Sequence, residues 1–319
     1  MNRTPHTEHF YDIIGDVHGH AQELEGLLKL MDYSNETGVW SHSYRRAIFV
    51  GDFINRGPNS REVIRLIRDM VKAGSALAIL GNHEINAILY FTRNKDGKSL
   101  RVPSSSNRKL LDQLSFEYHN QYEWLEKDIK WLRSLPIYLK LNGIRVVHAY
   151  WNDVYIRFID KLYEDGRLRK KTLKEIIKKE SPYYLPFNQT IKGIEFNLPK
   201  DLILKDDKNI QRTSFRVKWW ENPFGQTFKS LSYESKFQLP AYSIPKQIIT
   251  PYHVYQESDP LVFIGHYCMG NGPMIPAPNI CCVDACISSS GRLAAYRYNG
   301  ESKLNEDNFI FIKKIPTRL

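Results

Sequence analysis

Three short polar motifs, each directly after an apolar strand-like run, constrain the fold of this chain more than any other feature. The first is Gly-Asp-Val-His-Gly at 15–19, after the run at 11–14. The second, Gly-Asp-Phe-Ile-Asn-Arg-Gly at 51–57, follows 47–50, and the third, Gly-Asn-His-Glu at 81–84, follows 76–80. Each motif precedes a segment with helical spacing of apolar residues. This recurrence of strand, polar loop and helix predicts a layered α/β fold with parallel strands.

The motifs place two carboxylates, an imidazole and an amide at successive strand ends, namely on Asp16, His18, Asp52 and Asn82. In open α/β sheets, ligands bind at the carboxyl ends of the strands. Asp, His and Asn together form the ligand set of a divalent metal of hard to borderline character. A second Asp that can bridge suggests two metal ions.

Two later histidines repeat this placement. His148 follows the apolar run at 144–147, and His266 follows the run at 261–265. A single histidine in such a position is more often a core or surface residue. The coincidence of ligand type and position at five strand ends argues against that interpretation for the whole set.

The remaining chain carries weaker signals. We expect residues 1–319 to form a single domain with an insertion of irregular structure at about 150–260, which is rich in Pro, Tyr, Phe and Asn. Asn142-Gly143 predicts a hairpin turn, and 158–179 is a basic stretch with helical spacing. Strand patterns return at 261–265, 280–287, 293–298 and 309–313.

The net charge and the length of the apolar runs restrict the classes of partner that this chain can have. A net charge of +10 is compatible with an acidic partner, such as a nucleic acid, phosphoprotein or polyphosphate, or with a solvated basic surface. Nucleic acid is possible but not favoured, since no nucleic-acid motif accompanies the charge. No apolar run approaches the ~18 residues of a membrane span. With a polar N-terminal segment as well, we expect no membrane association and a cytoplasmic protein.

The four cysteines are Cys268, Cys281, Cys282 and Cys286. They lack the paired C-x-x-C spacing of a zinc knuckle. Three of them lie in an apolar run, where reduced cysteine behaves as a small hydrophobic residue. We therefore expect reduced cysteines in preference to a disulfide or a thiol nucleophile.

In this order and spacing the three motifs resemble those of the calcineurin-like metallophosphoesterases. The resemblance is closest to the branch that holds phosphoprotein phosphatases and bacterial diadenosine tetraphosphatases. It implies a four-layer α/β/β/α sandwich and a binuclear centre of two divalent ions, manganese first, with iron or zinc as alternatives. The implied ligands are Asp16, His18 and His266 for one ion, Asn82 and His148 for the other, and Asp52 as the bridge.

The same resemblance assigns the catalytic roles. His83 acts as general acid or orients the phosphate, and Arg56 binds phosphate oxygens bidentately. Asp284 is a candidate to orient His266 by contacting this ligand rather than the ion. Asn55 departs from the family, because many phosphoprotein phosphatases have Asp there. An amide can accept a hydrogen bond from His83 but cannot stabilise an imidazolium by charge, so we expect a weaker acid or a better leaving group.

The insertion is expected to set the substrate. Arg216 is our first candidate for a second phosphate-binding arginine and Arg212 the second. Trp219 and Trp220 either stack a ring of the substrate or simply pack.

The leading expectation is hydrolysis of phosphoproteins (Tyr or Ser/Thr) or small phosphomonoesters by a metal-activated hydroxide. The alternatives are a dinucleoside polyphosphate (Ap4A) hydrolase, a nucleic-acid phosphatase or nuclease, and a catalytically inactive binding module. The oligomeric state stays open.

Overall fold

Strands and helices alternate along the chain. The structure is a computed structural model that describes residues 10–315, apart from 120, 164–165, 206–208, 210, 234–237, 269–271 and 290. Its strands are β1 (Tyr11–Ile14), β2 (Arg46–Phe49), β3 (Ala76–Ala78), β4 (Tyr138–Leu141), β5 (Ile144–Val147), β6 (Glu195–Asn197), β7 (Leu204–Lys205), β8 (Gln211–Arg212), β9 (Ser214–Arg216), β10 (Leu261–Ile264), β11 (Met274–Ala277), β12 (Ile280–Cys282), β13 (Arg292–Tyr298) and β14 (Phe309–Lys313). Its helices are α1 (Ala21–Leu30), α2 (Ser60–Lys72), α3 (Asn82–Phe91), α4 (Ser105–Phe116), α5 (Tyr122–Leu132), α6 (Asp153–Asp160), α7 (Lys170–Glu175), α8 (Tyr184–Lys192) and α9 (Phe228–Leu231). None of these helices is long and apolar enough to cross a bilayer.

The first sheet has the strand order β14-β13-β1-β2-β3. β1, β2 and β3 are parallel, as the repeated strand-loop-helix pattern predicts, and Ile14 pairs with Phe49 in that register. β13 is antiparallel to both β1 and β14. Because parallel strands point the same way, the three motif loops leave the sheet at one edge.

The second sheet has the order β11-β12-β10-β5-β4. β10 is parallel to both β5 and β12. β4 and β5 form the predicted antiparallel hairpin across Asn142-Gly143, where Gly143 has a φ of +83°. The loops after β5, β10 and β12 therefore also leave from one edge, and they carry His148, His266 and Asp284.

The two sheets pack face to face. One buried cluster joins side chains of both, among them Ile13, Ile48, Val146 and Phe263. Outside it, α1 lies against β13 and β14, and α2 lies against β3. On the second sheet, the N–H groups of residues 149 and 150, which follow β5, donate to a carbonyl of α8 over 3.2 Å each. The predicted α/β/β/α sandwich is confirmed.

Residues 150–260 contain more regular structure than we expected. α6, α7, α8 and α9 occur there, with the two-stranded ladders β6–β9 and β7–β8. The basic stretch at 158–179 is not one helical run: α6 ends at Asp160, and α7 begins only at Lys170, after Gly166 with a φ of +66°. Residues 164–165 of that stretch lie outside the described residues. The single-domain organisation stays a prediction.

The tryptophan pair takes part in packing. Trp219 is fully buried, and its ring contacts those of Tyr150, Trp220 and Tyr255. It therefore belongs to an aromatic core beside the second sheet, and a substrate ring cannot stack on it.

The prediction of reduced cysteines is wrong for one pair. Cys268 and Cys286 form a disulfide with a Cα–Cα distance of 5.0 Å, whereas Cys281 and Cys282 are buried free thiols. β10 and β12 are parallel neighbours, so the loops that follow them run side by side and bring the two residues into reach. A sequence separation of 18 hides this proximity.

Candidate metal centre

The strand-end loops of both sheets converge on Asp52. Its carboxylate shares one group of potential metal ligands with His18 and His83 and a second with His148 and His266, and within each group the ligand atoms lie within 4.8 Å of one another. Nε2 of His148 is 3.4 Å from Oδ1 of Asp52. Asp52 thus lies where a residue shared by two sites would lie.

Backbone carbonyls orient two of the imidazoles. Nδ1 of His18 lies 3.2 Å from the carbonyl oxygen of Ile54, and Nδ1 of His148 lies 2.8 Å from that of Val50. Each contact engages Nδ1 and leaves the other ring nitrogen, Nε2, available to the centre. In His18, Nε2 is 3.9 Å from Oδ2 of Asp16. A histidine fixed through one ring nitrogen is typical of a metal ligand.

Two further predicted ligands carry buried polar atoms that lack protein partners. Oδ1 of Asn82 and Nε2 of His266 make no hydrogen bond to any other described residue. The backbone N–H of His266 donates to the carboxylate of Asp16, over 3.2 Å to each oxygen. Buried polar atoms without a partner are costly. Cations held between Asn82, His266 and the carboxylates would satisfy these polar atoms. The residues therefore fit a pair of bound metal ions.

The charges of the centre also indicate a cation site. Burial would raise the pKa of Asp52, but the imidazoles of His148 and His83 hold it well below its usual range. Burial, together with the carboxylate of Asp284, raises the pKa of Asp16. Several carboxylates thus converge in a buried space, which favours the binding of cations.

His83 and Asn55, two of the predicted catalytic residues, are in contact. Nδ2 of Asn55 lies 3.0 Å from Nδ1 of His83. The amide therefore donates to the ring, whereas we expected it to accept from the ring. A neutral ring in this arrangement carries its proton on Nε2, which is 3.9 Å from Oδ2 of Asp52. Burial, assisted by the charge of Arg56, lowers the pKa of His83 to about 4.

The three predicted arginines lie in different surroundings. The guanidinium of Arg56 has no hydrogen-bond or ion-pair partner among the described residues. Burial lowers the pKa of His18, and the charge of Arg56 lowers it further. Arg216, on β9, is paired in register with Glu195 of β6, with 3.8 Å between Nε and Oε1. After burial, the charge of Arg216 is the main cause of the lowered pKa of His266. Arg212 lies on β8 in the separate ladder with β7.

Asp284 has other contacts than those we expected. Its Oδ1 accepts a hydrogen bond of 2.9 Å from the backbone N–H of Cys286, and its charge acts on Asp16. Its role in orienting His266 stays a prediction.

Sequence reasoning missed Glu84. Its carboxylate accepts hydrogen bonds from four backbone N–H groups, those of Asp52 and Phe53 at 2.8 Å, Gly81 at 2.9 Å and Ile54 at 3.3 Å. It therefore ties the loop after β2 to the loop after β3. Burial raises its pKa to about 7. The signal was present, since Glu84 is the third residue of α3, where an acidic side chain caps the helix.

Strained backbone gathers in these loops. Positive φ angles occur at His18, Asp52, Asn55, Arg56 and His266, with values of 46° to 71°. Residues with side chains rarely adopt this conformation, and it persists where the surrounding structure enforces it. At Gly81, a Cβ would collide with the carboxylate of Asp52. The motif glycine is therefore required for close approach of the two loops.

Comparison with known proteins agrees with this geometry. The family model of the calcineurin-like phosphoesterases matches residues 11–266. The chain is 39% identical over 142 residues to the asymmetrical bis(5'-nucleosyl)-tetraphosphatase PrpE of Oceanobacillus iheyensis, covering 44% of this chain and 54% of that protein. It is 30% identical over 202 residues to the symmetrical bis(5'-nucleosyl)-tetraphosphatase of Coxiella burnetii, covering 61% and 58%. The chain thus spans little more than half the length of these relatives.

Among solved structures, a cold-active protein tyrosine phosphatase superposes over 94% of this chain and 79% of its own, with a TM-score of 0.50 and 19% identity. At that identity the similarity supports the fold alone. The family match covers most of the chain and extends from β1 to His266. The chain therefore belongs to the calcineurin-like phosphoesterase family.

Proposed function

We propose that this chain is a metal-dependent phosphoester hydrolase with two divalent ions in its centre. The proposed ligands are those implied by the resemblance: Asp16, His18 and His266 for one ion, Asn82 and His148 for the other, and Asp52 between them. The chemistry that such ions supply when bound is charge neutralisation at phosphorus and a water of lowered pKa. We expect manganese first, with iron or zinc as alternatives, since metal availability as well as affinity decides occupancy.

The arginines hold the phosphate in this proposal. The guanidinium of Arg56, with no partner among the described residues, can grip two phosphate oxygens at once. Arg216 adds positive charge from the side of His266. Together they orient the phosphate for attack and offset its charge.

His83 determines which leaving groups the site can expel. With a pKa near 4 its ring is neutral at physiological pH, and a neutral imidazole is a weak proton donor. The amide of Asn55 supplies no negative charge to stabilise the imidazolium. The site therefore suits leaving groups that depart with little protonation, such as a nucleoside phosphate or an aryl oxide.

The Asn55–His83 contact is the observation that carries the choice of substrate. Dinucleoside polyphosphates and aryl phosphates both meet the leaving-group requirement. Because the relatives of about 30–39% identity are named bis(5'-nucleosyl)-tetraphosphatases, we infer a dinucleoside polyphosphate such as Ap4A as the first substrate class. Phosphotyrosine and small aryl phosphomonoesters come second, and alkyl esters such as phosphoserine and nucleic-acid ends come last.

The test compares three substrates with Mn²⁺-loaded protein: Ap4A, p-nitrophenyl phosphate and glycerol phosphate. We expect turnover of the first two, much slower turnover of the third, and loss of all activity in Asp52→Asn. The products separate two cleavage patterns, since ATP with AMP indicates asymmetrical cleavage and two ADP indicates symmetrical cleavage. Equal turnover of the alkyl and aryl esters would contradict the role assigned to Asn55.

A further inference from the structure

The helix that begins with the predicted ligand Asn82 presents a polar stripe beyond the centre. Asn82, Asn86 and Tyr90 are half-buried on α3, whereas the residues between them are mostly buried. Residues four apart lie on one face of a helix, so Asn86 follows Asn82 about 6 Å further along the axis. The face that carries the predicted ligand therefore continues away from the centre as an accessible surface.

A small cavity opens beside Asn86. Its volume is about 110 Å³, and its other lining residues are Arg101, Val102, Pro103, Ser104 and Asn107. The guanidinium of Arg101 and the amide of Asn86 make no hydrogen bond or ion pair with any other described residue. Pockets for drug-sized ligands start at about 300 Å³, so this cavity is too small for a nucleoside. Its size and its unused donors suit a single phosphate group.

A second cation, on Lys192, interacts electrostatically with Arg101 of the cavity. Lys192, the last residue of α8, is half-buried, and its Nζ donates to Oδ1 of Asn188 over 3.2 Å. Burial and the positive charge of Arg101 both lower the pKa of Lys192. Glu195 acts on Lys192 in the opposite direction, but its carboxylate also pairs with Arg216. Two like charges held near each other favour the binding of an anion.

The same segment also contacts the residue that follows a predicted ligand. Gly193, directly after Lys192, abuts the hydroxyl of Tyr267 so closely that no Cβ would fit. Tyr267 follows the predicted ligand His266. Charge interactions therefore connect Arg101 of the cavity with Lys192, and Arg216 with His266 at the centre.

We propose that the cavity lined by Asn86, Arg101 and Asn107, with Lys192 nearby, is a second anion subsite that binds a phosphate of the substrate other than the one hydrolysed. This inference rests on the proposed function, since it supposes that the attacked phosphate lies at the metal centre. The subsite selects substrates with several linked phosphates, because the phosphate of a monoester cannot occupy both positions. It thereby distinguishes a polyphosphate substrate from an aryl phosphate, which the metal centre alone does not.

The test uses Arg101→Ala and Asn86→Ala in the Mn²⁺-loaded protein, with Lys98→Ala as control. Lys98 is exposed on the same connection between α3 and α4 and does not line the cavity, so its variant removes an equal charge elsewhere. We expect KM for Ap4A to rise about 10-fold in Arg101→Ala, the effect of losing about 1.4 kcal/mol of charge-assisted binding. Kinetics on p-nitrophenyl phosphate, and Ap4A kinetics in Lys98→Ala, should stay as in the parent.

Two outcomes would overturn the subsite: an unchanged KM for Ap4A in Arg101→Ala, or an equal loss on both substrates. If the parent protein hydrolyses neither substrate, the proposed function fails, and binding alone decides the subsite. Calorimetric titration with a methylene-bridged Ap4A analogue and with AMP serves this purpose. If the subsite exists, the ratio of the affinity for the analogue to the affinity for AMP should fall in Arg101→Ala. An unchanged ratio would reject the subsite.

Discussion

Burial keeps His83 neutral, and the amide of Asn55, which donates to Nδ1 and carries no charge, does nothing to stabilise the imidazolium. A carboxylate at this position would accept from Nδ1 and stabilise the imidazolium. The difference is one atom type within a hydrogen-bonded pair, and in the proposed mechanism it determines how readily His83 can protonate the leaving group.

We therefore expect Asn55→Asp to raise activity on glycerol phosphate by roughly 10-fold or more, up to the 10²–10⁴-fold that full general acid catalysis contributes. Ap4A turnover should change little, because its leaving group departs without a proton. The measurement is kcat/KM for aryl phosphates of graded leaving-group pKa, in which the dependence on that pKa should become shallower. A parallel shift of all substrates would show that His83 is not the limiting acid.

Glu84 gives a second prediction at the residue scale. Glu84→Gln replaces one of two accepting oxygens by an N–H₂ group, which then faces backbone N–H groups. We expect a loss of about 1–3 kcal/mol in the free energy of unfolding, the usual cost of unsatisfied buried donors. Urea denaturation measures it. Glu126→Gln, an exposed change on α5, is the control, and equal stability of the two variants would refute the tethering role.

At the scale of elements, the disulfide joins the loop that carries His266 to the loop that carries Asp284. Closing a chain loop of this length contributes about 3 kcal/mol by restricting the unfolded state. We expect dithiothreitol to lower the melting temperature of the parent protein and to leave that of Cys268→Ser unaffected. Thiol titration of the denatured protein should find two free thiols before reduction and four after it. Four at the outset would show that the bond does not form.

Glu117, at the end of α4, links that helix to the start of α2 by accepting from the backbone N–H of Arg61 over 2.8 Å. Burial raises its pKa from 4.5 to about 6. Between these values the native state binds more protons than the unfolded state, so this group's contribution to stability falls as pH rises from about 4.5 through 6.

We expect Glu117→Gln to remove that pH dependence while keeping an acceptor for Arg61. Relative to the parent, the variant should gain stability at pH 7 and not at pH 4.5, as followed by urea midpoints. A stability difference between variant and parent that is constant over this range would mean that Glu117 titrates normally.

At the scale of the whole molecule, the centre is the point where repelling carboxylates depend on cations. We expect EDTA to abolish activity and to lower the melting temperature by on the order of 5 °C, since ions that bind only the native state stabilise it. A phosphatase assay and differential scanning calorimetry, each before and after Mn²⁺ is restored, measure the two effects. An unchanged transition would count against ions bound at a preformed centre.

The sequence indicated which polar side chains converge, because candidate ligands at the ends of parallel strands can be recognised from local patterns alone, whereas their binding of metal stays a prediction. Asp16, Asp52 and Asn82 each follow a strand that ends in a motif, and the fold then brings them together. Cys268 with Cys286, and Glu84 with the loop after β2, could not be paired in this way. Their proximity depends on which strands become neighbours and on backbone N–H groups, neither of which leaves a residue pattern.

The positions of the proposed ligands have a consequence for the two sheets. Asp16, Asp52 and Asn82 come from the first sheet, whereas His148 and His266 come from the second, and the N–H of His266 already reaches across to Asp16. An ion bound by these residues would join the two sheets of the sandwich. Metal binding would then stabilise the packing of the sheets, and the packing would equally strengthen metal binding. We therefore expect that a substitution that loosens the buried apolar layer between the two sheets would also weaken metal binding, even at a distance from the proposed ligands.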